Sequence, residues 1–130
     1  MSGDTATNTD AEGYDAETRG HVGVRTDGDV RIIVMTGEFD MDTVTGLRTA
    51  MAPDAPGITR YVLDTAAVTF VDSAALGIML RPVLERPVVL AGTVPPRLAR
   101  LLEVTGADRA FAVAATVEEA AVMPIAPWNG

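Results

Sequence analysis

Residues 61–80, YVLDTAAVTFVDSAALGIML, constrain the fold more than any other part of this chain. Tyr61, Val62 and Leu63 form a strand-like apolar run, which passes through Thr65-Ala66-Ala67 to a second apolar knot, Val68-Thr69-Phe70-Val71. Asp72 and Ser73 follow, and then a small-residue segment that reads as a helix. This hand-over from strand to helix places Ser73 at a helix start, where backbone N–H groups lack intrahelical partners. Such an end favours negative charge, so Ser73 could be a cap or a seat for a phosphate.

The flanking sequence alternates in the same way. Residues 22–25 suit a short edge strand, and Asp27-Gly28-Asp29 a turn. Residues 30–36 (VRIIVMT) are rich in β-branched side chains and apolar on both faces, as a central strand requires. From Asp42 the pattern turns helical, with Val44, Leu47 and Met51 on one face, Asp40 or Asp42 as cap, and Pro53 and Pro56 as stops. After a strand at residues 61–64, the helix from Ser73 points Leu76, Met79 and Leu80 inward, and Pro82 ends or kinks it. Residues 88–91 make a fully apolar strand. A helix follows Pro95-Pro96, with Leu98, Leu101 and Leu102 on one face and Gly106 as its C-terminal cap. Residues 111–114 are a final strand and residues 117–123 a final helix capped by Thr116. Strands alternating with helices predict an α/β sandwich with a mixed sheet. Met35, Met41, Met51 and Met79 are expected in or near its core.

Composition removes several functional classes. Residues 1–20 hold no Leu, Ile or Val, one aromatic (Tyr14) and five acids against one Arg. Such a segment buries too little apolar surface to offset its ordering entropy, so it is expected to be a disordered acidic tail. It carries about half of the net charge of −8. The acidic balance, with no lysine and ten scattered arginines, argues against nucleic acid and anionic membrane, which both need clustered cations. No cysteine is present, hence no disulfide, thiol nucleophile or thiolate metal site. The single histidine, His21, sits at the edge of the tail, so Ser73 lacks the base that a serine nucleophile needs. No GxxxxGK[ST] loop occurs. Neither a leader nor an apolar run near ~20 residues is seen, so the expectation is a soluble, cytoplasmic non-enzyme without a cofactor.

With those elements placed, LDTAAVTFVDSAALGIML resembles the signature of STAS domains, specifically of bacterial anti-sigma factor antagonists. In that family a hydrophobic strand, "DLS", a few residues and an apolar pair lead into "DSSGLG" or "DSTGLG". TGEFD at residues 36–40 is similar to the family's "TGELD", and PPRLARLLEVTGADRAF at residues 95–111 to its third helix and following strand. Together these motifs span residues 22–122. The resemblance implies a STAS-type α/β fold, a small mixed sheet with about four helices packed mainly on one face. It places that domain at residues 21–123, between the acidic tail and a C-terminal tail at 124–130 that contains Trp128.

The resemblance also implies a function. Ser73 falls at the family's phosphorylation site, with Asp40, Asp72, Ser73, Ala74, Ala75 and Leu76 as the partner-binding surface. The unphosphorylated protein would bind an anti-sigma factor that is also a serine kinase, releasing a sigma factor. Phosphorylation of Ser73 would end that complex and a serine phosphatase would reset it, with the protein a monomer or weak dimer. Two departures stand out: Ala74 where Ser or Thr is common, and Ala75 where Gly is usual, its added methyl a potential hindrance to the kinase. The residues therefore keep a second reading open, a STAS module that binds its partner without a phosphoswitch, such as a stress-signalling scaffold or an accessory subunit of a lipid-transport ATPase. Read without the resemblance, Ser73 and Asp40 are helix caps, and Asp72 caps or simply hydrates the loop.

Overall fold

The computed structural model describes residues 19–52 and 55–125; the expectations placed on residues 1–18, Pro53 and Trp128 lie outside them. Five strands, β1 (His21–Asp27), β2 (Val30–Phe39), β3 (Arg60–Val71), β4 (Val88–Ala91) and β5 (Ala112–Ala114), form one sheet in that order. β1 and β2 are an antiparallel hairpin, whereas β2, β3, β4 and β5 are mutually parallel. The helices are α1 (Thr45–Ala50), α2 (Ser73–Met79), α3 (Pro96–Thr105) and α4 (Val117–Val122), with a 3-10 turn at Ala107–Arg109.

Strand order equals chain order, so each parallel crossover steps one place in the same direction. Crossovers of one hand then lay their helices on one face. Leu47 and Met51 from the α1 region, Leu76, Ile78 and Met79 from α2, and Leu98 and Leu102 from α3 accordingly share a core with Ile33, Tyr61, Leu63, Val88 and Leu90. α4 has no following strand to reach and covers the opposite face, where Ala120 joins Val30, Ile32, Val62, Val89 and Ala91. Neighbouring residues of the central strands thus enter different cores, which is why these strands read as unbroken apolar runs. Arg60 pins α4 in place, its Nη1 donating to the Ala120 carbonyl at 2.8 Å.

Local signals set several boundaries. Pro96 occupies the first turn of α3, and Gly106 ends it at φ 78, a left-handed conformation that only glycine adopts cheaply. Thr116 caps α4 by accepting from Glu119 N at 3.0 Å, while Glu119 Oε1 reaches back to Ala115 N at 3.0 Å. His21 opens β1 opposite Thr36.

Three expectations need correction. β3 does not stop at Asp64. Its pairing with β2 continues to Val71, with Asp64 opposite Val34, Ala67 opposite Thr36 and Phe70 opposite Glu38. Two extra β3 residues are absorbed on the way, around Thr65-Ala66 and at Thr69, so a bulged strand breaks its own period of two and imitates a loop. α1 begins at Thr45, not Asp42, and neither Asp40 nor Asp42 caps it; Val44 is the N-cap residue and contributes no side-chain bond. Met35, Met51 and Met79 are buried, but Met41 lies on the turn before α1, 73 % exposed. Among the described residues no helix is long and apolar enough to cross a membrane.

Candidate functional site

The carboxyl ends of β2 and β3 build the site. Phe39 and Val71 are register partners, and the Asp72 N–H extends the ladder to the Phe39 carbonyl at 3.1 Å. Asp40 and Asp72 are therefore the first residues beyond a shared strand end, side by side. Both side chains are half-buried.

Each carboxylate organises the turn that follows it. Asp72 has extended backbone angles (φ −92, ψ 179) and its Oδ1 accepts from Ala75 N at 2.8 Å, so Asp72 is the N-cap of α2. Ser73 is the first helical residue instead of the cap. It is exposed, and its hydroxyl forms no hydrogen bond to any described residue. Asp40 Oδ1 accepts from Asp42 N at 2.9 Å and lies 3.2 Å from Thr43 Oγ1. Thr43 Oγ1 in turn accepts from Asp40 N at 2.9 Å and donates to the Glu38 carbonyl at 3.1 Å. Thr43 is a site residue that the sequence reading missed, although an Asp followed three places on by Thr is a known signature of a side-chain-closed turn.

α2 divides the expected surface in two. Ser73 and Ala74 are exposed, whereas Ala75 (0 % exposed) and Leu76 (4 % exposed) are packed into the core. Ala75 and Leu76 thus hold the helix down and offer a partner no surface. The methyl of Ala75 points inward, so this departure from the usual glycine does not crowd Ser73. One turn beyond Ser73 lies Gly77, exposed, where an added Cβ would meet nothing within 4 Å. Residues four apart share a helix face, so the surface above Ser73 is bare backbone and small side chains. Among the described residues no cluster of His, Asp and Glu is arranged to hold a metal ion.

Residues 22–118 match the family model described as "Mlab, STAS domain", and the chain belongs to the STAS domain family. An anti-sigma factor antagonist from Mycobacterium paratuberculosis is 25 % identical, with TM-score 0.68 over 80 % of this chain and 92 % of that one. The anti-sigma factor antagonist SpoIIAA in its unphosphorylated form is 21 % identical, with TM-score 0.65 over 78 % of this chain and 93 % of its own. The Bacillus cell fate determinant SpoIIAA in its phosphorylated form gives 19 % and 0.62, over 78 % and 96 %. The mixed sheet with four helices is thus the fold of solved anti-sigma factor antagonists. No curated protein matches the chain.

Proposed function

We propose that this STAS domain, residues 21–123, is an anti-sigma factor antagonist switched by phosphorylation at Ser73. Unphosphorylated, it binds an anti-sigma factor that is also a serine kinase, and a sigma factor is released. The kinase passes the γ-phosphoryl group of ATP to Ser73 Oγ, ADP leaves, and the hydroxyl proton goes to a base on the kinase. A serine phosphatase reverses the modification. The protein works in the cytoplasm as a monomer or weak dimer and has no catalytic machinery of its own.

The observation that carries this reading is the division of labour between Asp72 and Ser73. Asp72 does the capping, so the exposed Ser73 hydroxyl has no structural task. A phosphoserine adds about −1.5 to −2 charges at neutral pH. Placed beside Asp40 and Asp72, it would turn a docking surface into a concentrated anion without refolding the domain. The penalty falls on whatever the surface meets, because a dianion pressed against an apolar or anionic face is desolvated without compensation.

Binding of candidate anti-sigma factor kinases to wild type, Ser73→Ala and Ser73→Glu tests the reading. Wild type and Ser73→Ala should bind alike, and Ser73→Glu should bind more weakly. Equal binding by all three would remove the switch. That outcome would favour the second reading, a phosphorylation-independent STAS interaction module in a stress-signalling scaffold or a lipid-transport ATPase. Its support is Ala74 and the match to the "Mlab, STAS domain" model.

A further inference from the structure

A hollow of about 210 Å³ lies between α3, the 3-10 turn and the β4–β5 edge of the sheet, on the face that carries α1, α2 and α3. Leu90, Val94, Leu102, Phe111 and Val113 give it apolar walls. Leu90, Leu102 and Phe111 are buried, whereas Val113 is 58 % exposed, so the hollow is open where the sheet ends. Its cause is local. Ala99 stands on α3 four residues before Glu103, both on the flank that borders the hollow, and its single methyl leaves the space unfilled. Ser73 lies elsewhere, beyond the carboxyl ends of β2 and β3.

The charge around this hollow has one sign. Glu103 and Asp108 are the charged residues that line it. Gly106, left-handed at φ 78, turns the chain so that the 3-10 turn packs back on α3 and brings Asp108 to the hollow that Glu103 already borders. Both side chains are exposed, and among the described residues neither carboxylate accepts a hydrogen bond or joins an ion pair. Arg100 and Arg109, close to them in sequence, do not line the hollow. Two carboxylates at one rim repel each other, and a cation between them relieves that repulsion.

We propose that this hollow binds a small organic amine, its compact apolar body seated against Leu102, Phe111 and Val113 and its ammonium group held by Glu103 and Asp108. The size fits one ring: a dry apolar cavity of about 150 Å³ holds benzene, and the space here adds room for a short link to the ammonium group. An apolar body with a few placed polar groups at the mouth is the usual make-up of a small-molecule site. The sign of the charge sets the class. A carboxylate or phosphate ligand would face two like charges, so nucleotides and anionic lipid head groups do not fit, and a neutral ligand of the same shape would leave both carboxylates unpaired.

The test titrates the full, isotope-labelled chain with benzylamine, benzyl alcohol, phenylacetate and methylamine at constant ionic strength, following backbone amide resonances. Benzylamine should give saturable shifts centred on Val94, Glu103, Asp108 and Val113, with a dissociation constant on the order of 1 mM. Benzyl alcohol should bind at least about threefold more weakly and phenylacetate at least about tenfold. Methylamine carries the charge without the apolar body and should give no saturable shift at these residues. Glu103→Gln and Asp108→Asn should each weaken benzylamine at least about threefold with thermal unfolding unchanged, and Ala99→Leu, which fills the hollow, at least about tenfold. The proposal is overturned if benzylamine does not saturate by about 20 mM, if phenylacetate binds as tightly, or if a folded Ala99→Leu chain binds benzylamine as well as wild type. Shifts scattered over the acidic surface, or matched by methylamine, would overturn it too, as the general attraction of a chain of net charge −8 for cations. The ligand series on wild type decides the matter whether or not Ala99→Leu folds, and its failure leaves the reading of Ser73 intact.

Discussion

Replacing Asp72 by alanine separates the two residues at the start of α2. The variant loses the acceptor 2.8 Å from Ala75 N. Ala75 is wholly buried, so its N–H would be left with poor access to water. Loss of an N-cap costs about 0.5–2 kcal/mol, and burial of the orphaned donor puts this site in the upper part of that range, about 1–2 kcal/mol. Ser73→Ala removes a hydroxyl bonded to no described residue and places a strong helix former in the first turn, so stability should stay within about 0.5 kcal/mol of wild type. Asp72→Asn keeps an acceptor oxygen at nearly the same place and should also be close to wild type, which separates capping from charge. Urea unfolding followed by circular dichroism reads all three. With an m value of about 2 kcal/mol/M, the Asp72→Ala midpoint should fall by about 0.5–1 M. If Ser73→Ala fell by that amount and Asp72→Ala did not, Ser73 would be the cap and would have a structural task after all.

Two further substitutions test the buried face of β3 and the exposed face of α2. Thr65 is 0 % exposed and its hydroxyl has no partner among the described residues, so Thr65→Val, which keeps the branched shape, should raise stability by about 1 kcal/mol; a lowered Tm would mean that the hydroxyl is satisfied after all. Gly77 is exposed in mid-helix with open space where a Cβ would stand, so Gly77→Ala should stabilise the domain by about 0.5–1 kcal/mol. If the bare face above Ser73 is a docking surface, the same variant should bind the proposed kinase more weakly, and a tighter complex would contradict that role.

The parts of the fold that were legible in the sequence are those decided within a few residues. β4 is four apolar residues in a row, α3 carries proline at its start and glycine at its end, and Thr116 sits three places before the glutamate that completes its cap. The STAS motifs gave the small mixed sheet with its helices mainly on one face and the place of Ser73 at a helix start. What was not legible depends on long-range pairing. Thr65-Ala66-Ala67 resembles a loop because the bulges that accommodate it form only against β2. Asp40 has the chemistry of a helix cap, but its carboxylate is committed to Asp42 and Thr43, which delays α1 to Thr45 and leaves Met41 outside. Asp72 and Ser73 are both able to cap, and only the extended backbone of Asp72 decides between them. Ala75 and Leu76 belong to the motif, yet the turn of α2 sends them inward.

In the proposed switch one hydroxyl controls one interface. The switch is tested by incubating the protein with candidate anti-sigma factor kinases and ATP, locating the phosphate by mass spectrometry of proteolytic fragments, and measuring the affinity of the complex before and after. The expected result is a single phosphate on Ser73, none on Ser73→Ala, and a complex that is tight before modification and lost after it, with the circular dichroism spectrum unchanged. A phosphate elsewhere, or a phosphorylated Ser73 that binds its kinase as tightly as before, would contradict it.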